Sequence, residues 1–256
     1  MVGIEERSKT DIIYPDSDGK PMSDNTKQFR WITVIYHNLE WLFANDPNVF
    51  VAGDLLWYAV EGNNKIRQAP DVMVIFGVPK GDRGSYMQWK ENHISPQVAF
   101  EILSPGNTLT EMNKKQVFYH RYGVEEYYIY DPDKNDLTGW LRGENGLEVI
   151  EIMENWVSPR LGIRFNCSEE ELQLYRPDGQ PFVSYLDISQ QLNTALQEVE
   201  QTQYRLQAVE QQAEAERQRA EQERQRAEQE RQRAEQERQR AERLAEQLRS
   251  LGINPE

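Results

Sequence analysis

The segment RAEQERQ occurs three times in succession between Arg219 and Gln239, and a strict seven-residue period of this kind restricts that part of the chain to a long helix. Stepping by sevens from Leu192 gives one seam: Leu192, Val199, Leu206, Ala213, Ala220, Ala227, Ala234, Ala241 and Leu248. The seam three residues further on runs Ala195, Thr202, Val209, Glu216, Glu223, Glu230, Glu237, Leu244 and Leu251. The two ends are coiled-coil-like. The middle sets alanine beside glutamate, which buries little. Charge spacing still favours a helix there, because Glu221 precedes Arg224 by three residues and Arg226 precedes Glu230 by four. A solvated single helix and a weak dimerising coiled coil are both open on this pattern. Either would extend about 90 Å from Leu192 to Leu251 at 1.5 Å per residue.

Upstream of Leu186 the composition changes. Aromatic and apolar residues cluster, and the chain is long enough for a sizeable core. The formal net charge is −14 over 256 residues. The tail from Asp187 carries 15 acids and 11 bases, so −10 belongs to residues 1–186. Such a domain repels phosphate backbones over most of its surface, which argues against a broad basic nucleic-acid face but not against a small metal-bridged contact. The single cysteine, Cys167, excludes an intramolecular disulfide and any CxxC zinc set. The opening stretch MVGIEERSKTDIIY has no apolar leader-like run, and no apolar run approaches a membrane span. The expected location is therefore the cytoplasm.

Local patterns give an order of elements. Trp31, Val34, Ile35, Leu39, Leu42 and Phe43 follow helical spacing, predicting a helix over about 26–44 that NDPN ends. NVFVAGDLLWYAVEG reads as two strands around Gly53 and Asp54, and DVMVIFGV as a strand buried on both faces. GDRGSYMQWKENHIS reads as a polar loop and QVAFEILS as a further strand. Thr110 with Glu111 opens a helix to about Tyr122, GVEEYYIYDPDKN is a strand, and DLTGWLRGENGLEVI is a hairpin turning near 143–146. This is a mixed α/β domain with at least one crossover.

Two acids stand out in these apolar segments. Asp71 opens DVMVIFGV, and Glu101 lies within QVAFEILS. Strand alternation puts Ala99, Glu101 and Leu103 on one face and Val98, Phe100 and Ile102 on the other, so Glu101 points inward with apolar neighbours. A buried carboxylate without a partner costs several kcal/mol, and a divalent cation shared with Asp71 would supply one. On the following helix Met112, Lys115, Tyr119 and Tyr122 form one stripe, with Lys115 near its centre and Lys114 at its edge. Asp71 is equally a turn cap after Pro70, and Lys115 equally a snorkelling side chain; taken together with Glu101 they suggest one site. His37, His93 and His120 are scattered, with His120 on the outer side of its helix. Tyr119, Tyr122, Tyr127 and Tyr128 read as core before base-stacking surface. No P-loop, G-x-G-x-x-G or G-x-S-x-G motif is present.

PDV, FEILSP and KQVFYHRYGVEEYYIYDP resemble the Uma-two family of "putative restriction endonucleases", within the PD-(D/E)XK nuclease superfamily. The resemblance spans roughly residues 20–165. It implies a restriction-endonuclease-like mixed β-sheet flanked by helices over 1–186, followed by a charged heptad-repeat helical tail over 187–256. Asp71 matches the first acid and Glu101 the second. The superfamily's lysine, two residues after the second acid, is here Leu103. The family is similar in placing its lysine on the next helix, where Lys115 stands, and Glu111 stands where members commonly carry Asp. The implied activity is hydrolysis of DNA by an endonuclease that holds Mg2+ (or Mn2+) on Asp71 and Glu101. Lys115 would orient or deprotonate the water or stabilise the transition state. A homodimer joined by the tail is expected, as double-strand cutting would suit. A nuclease fold kept as an interaction scaffold is the alternative, and DNA delivered by another protein is a third reading.

Overall fold

The computed structural model describes residues 12–19 and 21–250. The seam residue Leu251, the side chain of Leu248 and the leader-less reading of residues 1–11 lie outside what is described. In chain order the elements are α1 (Thr26–Leu42), β1 (Val49–Gly53), β2 (Trp57–Tyr58), β3 (Arg67–Gln68), β4 (Val72–Phe76), β5 (Tyr86–Met87), β6 (Val98–Ile102), α2 (Leu109–Tyr122), β7 (Glu126–Asp131), β8 (Asp136–Gly143), β9 (Gly146–Val149), β10 (Arg164–Asn166), β11 (Gln173–Tyr175) and α3 (Tyr185–Ser250). Two units result, one ending at Ile188 and one from Ser189 onward.

Six strands form the main sheet in the order β1-β4-β6-β7-β8-β9. Every neighbouring pair is antiparallel except β6 and β7. That parallel pair needs a crossover, and α2 supplies it. Period-2 alternation divides the strand residues between two cores. Val72, Val74, Val98, Phe100, Tyr128 and Tyr130 face α1 and the segment 153–182. Ala52, Met73, Ala99 and Tyr127 face α2 and the small sheet β3-β2-β5. With both faces covered, the central strands are apolar throughout, which is why DVMVIFGV shows no alternation.

The helix ends follow from local chemistry. The Asn25 side chain accepts from Gln28 N at 2.8 Å and caps α1. Trp31, Ile32, Ile35 and Leu39 lie on its buried face, each contributing about 1.5–3 kcal/mol relative to exposure. Asn38, also buried, donates to Val34 O and Val183 O and accepts from Val183 N, tying the chain's return at 183 to α1. α2 is capped by Thr108, whose hydroxyl accepts from Glu111 N, two residues earlier than the Thr110 start expected from sequence. It stops at Gly123, where φ is +92° and a β-carbon would lie 3.0 Å from Ser95 Oγ.

The segment read as a polar loop contains β5. Tyr86 is fully buried and donates through its hydroxyl to Ile94 O, and β5 pairs in parallel with β2. Two-residue strands lack enough pattern to be seen in sequence. α3 is helical over 66 residues, about 100 Å. The ion pairs in its repeat include Glu228–Arg231 at 3.9 Å and Arg238 with Glu235 and Glu242 at 3.7 Å. They are loose and exposed, consistent with a solvated helix surface. Among the described residues no helix is long and apolar enough to cross a membrane.

Candidate active site

The site is built by strand register. β4 and β6 are antiparallel, with Val72 opposite Phe100 and Met73 opposite Ala99. One step further sets Asp71 opposite Glu101. β1 and β4 pair Gly53 with Val72, so the next step sets Asp54 opposite Asp71. Asp54, Asp71 and Glu101 thus lie side by side at the same end of three adjacent strands. The row lies on the α2 face. Asp54 takes a left-handed backbone, φ 45°, as β1 ends, and its N–H bonds Asp71 O at 3.2 Å.

α2 lays Lys115 and Tyr119 over this row. Lys115 Nζ is 2.6 Å from Glu101 Oε2, and the Tyr119 hydroxyl donates to Glu101 Oε1 at 2.5 Å. Glu101 is only 2% exposed, so the pair is a buried one. Lys114, one residue earlier, is exposed. Asp71 Oδ2 accepts from Ile102 N at 2.6 Å, a side chain bridging into the neighbouring strand just past Glu101. Gln28, buried on α1, donates to Ile102 O at 2.8 Å and so fixes the same stretch from the other face.

Charges in the row are under-compensated. Burial pushes the Asp71 carboxyl well above the ordinary carboxylate range, the Glu101 charge adds to this, and Lys115 and the Ile102 N–H only partly offset it. Burial likewise pushes Glu101 up, against Lys115 and Tyr119. Burial alone would lower Lys115, but Glu101 and Asp71 outweigh it and hold the ammonium at about 12. Asp54 is also raised, by burial first and then by Asp18. One ammonium cannot neutralise two buried carboxylates and a third acid beside them.

An open cleft of about 460 Å³ gives access to the row. Its lining includes Asp18, Asp24, Asp54, Asp71, Glu101 and Glu111, with Lys115 as the basic side chain among the described residues. Two flanking segments shape the mouth. The Ser104–Asn107 turn is closed by Asn107 Oδ1 accepting from Ser104 N, and Ser104 Oγ donates to Asp24 Oδ2 at 2.6 Å. The segment before α1 is anchored at Pro15, whose carbonyl accepts from the Tyr58 hydroxyl at 2.6 Å.

These residues fit a divalent cation by their chemistry: hard carboxylate oxygens in excess over positive charge, and a buried hydroxyl, that of Tyr127, with no partner. The donor set is small. Among the described residues no group of three or more His, Cys, Asp or Glu side chains is gathered tightly enough to hold a metal ion. Asp71 and Glu101 are the two buried carboxylates of the row.

The chain matches the model of the family described as Uma2, "Putative restriction endonuclease", over residues 18–168, more than half its length. The chain belongs to the Uma2 family. That span holds the acid row, α2 and the cleft lining. No curated protein matches the chain. A crystal structure of a "putative nuclease belonging to DUF820" from Anabaena variabilis ATCC 29413 is 18% identical, with a TM-score of 0.42, covering 55% of this chain and 74% of that one. That likeness is too slight to carry weight.

In this Uma2 chain the fold brings Asp71, Glu101 and Lys115 together. It also adds residues that local patterns did not mark as site residues: Asp54, Tyr119 as a donor rather than packing alone, and Gln28. The histidines stay apart from the site. His120 is exposed but is not merely solvated, since its Nδ1 accepts from Leu147 N at 3.2 Å. Tyr119, Tyr127 and Tyr128 are fully buried, which removes them as base-stacking surfaces. Cys167 is half-buried, and burial pushes its thiol up to about 11, away from reactivity.

Proposed function

We propose that the chain is a metal-dependent endonuclease that hydrolyses DNA phosphodiester bonds, using Mg2+ or Mn2+ held by Asp71 and Glu101. The observation that carries this is the buried Asp71–Glu101 pair joined to Lys115 across a sheet-to-helix crossover, in a Uma2-family chain. The cleft supports the need for a cation, since among its described residues the buried Asp71 and Glu101 carboxylates face Lys115 alone and would repel a phosphate. When bound, the ion would neutralise charge on the phosphate and make its water more acidic. The chain's own groups do the rest. Asp71 and Glu101 provide the oxygens, and Tyr119 and the Ile102 N–H keep those carboxylates in place. Lys115, held charged by its neighbours, donates hydrogen bonds to the attacking water or to the phosphate oxygen on which charge develops.

The second reading is a scaffold that keeps this fold without the chemistry. It is favoured by one feature, that Lys115 and Tyr119 already satisfy both Glu101 oxygens. Calorimetric titration with Mn2+ separates the two. The enzyme reading expects uptake of the ion by the full chain and its loss in Glu101→Ala, whereas a scaffold takes up no ion.

We also propose that the tail joins two copies of the chain. Leu192, Leu196, Val199, Leu206 and Val209 are all exposed along α3 and recur at helical spacing. In a parallel pair Arg205 would face Glu210 of the partner subunit, which suits a second copy. The alanine–glutamate middle adds little attraction. Sedimentation at tens of micromolar is expected to give a dimer for the full chain and a monomer after truncation beyond Ile188. A monomeric full chain removes the proposal, and a dimeric truncated chain moves the interface off the tail.

A further inference from the structure

Tyr127 is fully buried, and its hydroxyl is one of the few buried polar atoms among the described residues with no hydrogen-bond partner. It and the other two, Trp31 Nε1 and Ser85 Oγ, lie outside the cleft lining, but Tyr127 packs against Tyr119, whose hydroxyl holds Glu101. Burying a hydroxyl without a partner costs about 1–3 kcal/mol. Phenylalanine would fill the same space without that cost. The position therefore carries a polar atom that the packing alone does not use.

Its place in the fold is specific. Tyr127 pairs with Ala99 on the parallel β6–β7 ladder, and Glu101 is two residues further along the same face of β6. That diagonal separation, about 7–8 Å between backbones, is within reach of an aromatic side chain. The ring lies between Tyr119, at 4.9 Å, and Trp140, at 5.1 Å. Tyr119 is the residue whose hydroxyl holds Glu101 Oε1. Next to Tyr127 on this face the sheet offers the small side chain of Ala99. Burial, then the Glu101 and Asp71 charges, keep the Tyr127 hydroxyl protonated far above neutral pH, so it can act only as a donor or neutral acceptor. With acceptor oxygens concentrated on Glu101 and Asp71, donation is its use.

We propose that Tyr127 is a positioning residue of the cation site, whose hydroxyl donates to the oxygen, carboxylate or water, that a bound divalent ion brings beside Glu101. This rests on the reading of Asp71 and Glu101 as cation ligands. Tyr119 and Tyr127 then divide the work: Tyr119 holds the carboxylate in the metal-free protein, and Tyr127 engages when the ion is bound. The role resembles that of outer-sphere partners in metal sites, whose loss costs about 10–100-fold in affinity.

The test uses full-length wild type, Tyr127→Phe and Tyr119→Phe, each followed by thermal unfolding in EDTA and by Mn2+ calorimetry. Tyr127→Phe is expected to unfold at the same or a higher temperature in EDTA and to bind Mn2+ about 10-fold more weakly. Tyr119→Phe, which loses a bond already made, is expected to unfold at a lower temperature in EDTA. Unchanged Mn2+ affinity in Tyr127→Phe, beside a wild type that binds, overturns the positioning role alone. A lower unfolding temperature for Tyr127→Phe in EDTA also overturns it, by showing that the hydroxyl has a structural partner. A wild type that takes up no Mn2+ overturns the cation reading and this proposal with it.

Discussion

Asp71→Asn is expected to give a metal-free protein more stable than wild type at neutral pH and without nuclease activity. The side chain is 7% exposed, and its carboxyl is raised by burial and by Glu101. A carboxyl whose folded pKa lies above its unfolded value stabilises the fold when protonated. That contribution is present below the unfolded value, near 3.8, and is lost as pH rises through the raised folded value. At neutral pH the ionised group therefore weakens the domain. Asparagine keeps the shape and an oxygen for Ile102 N–H while removing the charge. Unfolding followed in EDTA from pH 4 to 8 should show the stability difference growing with pH in favour of Asp71→Asn. Mn2+ uptake should fall sharply in the same variant. A variant less stable than wild type at every pH would mean that Asp71 is compensated by something other than Lys115.

Lys115→Ala has the second large effect, and it divides by condition. Removing one partner of a buried ion pair costs about 3–5 kcal/mol, because Glu101 is left charged and unpaired. In EDTA the variant is therefore expected to lose stability. Adding Mn2+ should restore more stability to it than to wild type, since the ion no longer competes with an ammonium for Glu101. Cleavage should still be down by about 10²–10⁴-fold, the usual contribution of a positioned proton-transfer or charge-stabilising group. Lys114→Ala, on the exposed side of α2, should change neither. Tighter Mn2+ binding with lost cleavage separates a catalytic lysine from a ligand-holding one. Equal loss in both lysine variants would contradict the assignment of the catalytic role to Lys115 over Lys114.

How much of this could be seen in sequence depended on the range of each interaction. Helical phase over four residues separated Lys115 from Lys114, and it needed no tertiary knowledge. Alternation along β6 put Glu101 with Ala99 rather than with Phe100. The seven-residue repeat gave α3. Asp54 could not be recognised, because it joins the site only through two strand registers, β1 on β4 and β4 on β6. Nothing within five residues of Asp54 records either. Gln28 was hidden for a similar reason: its acceptor, Ile102 O, is 74 positions away. β5 and the β10–β11 hairpin are two or three residues per strand, too short to show a period, and packing against the rest of the domain holds them. Tyr119 is core, as its stripe predicts, but a tyrosine pattern says nothing about which carboxylate its hydroxyl will reach.

The Asp71–Glu101–Lys115 arrangement is expected to cut DNA with the help of a divalent cation. The direct measurement is conversion of supercoiled plasmid to nicked or linear forms by the full chain, in Mg2+, in Mn2+ and in EDTA, beside Glu101→Ala prepared identically. The expected result is cleavage by wild type in Mg2+ or Mn2+, none in EDTA, and none by Glu101→Ala in any condition. Cleavage that persists in EDTA or in Glu101→Ala, or a folded wild type that takes up Mn2+ and leaves the plasmid intact, would contradict it.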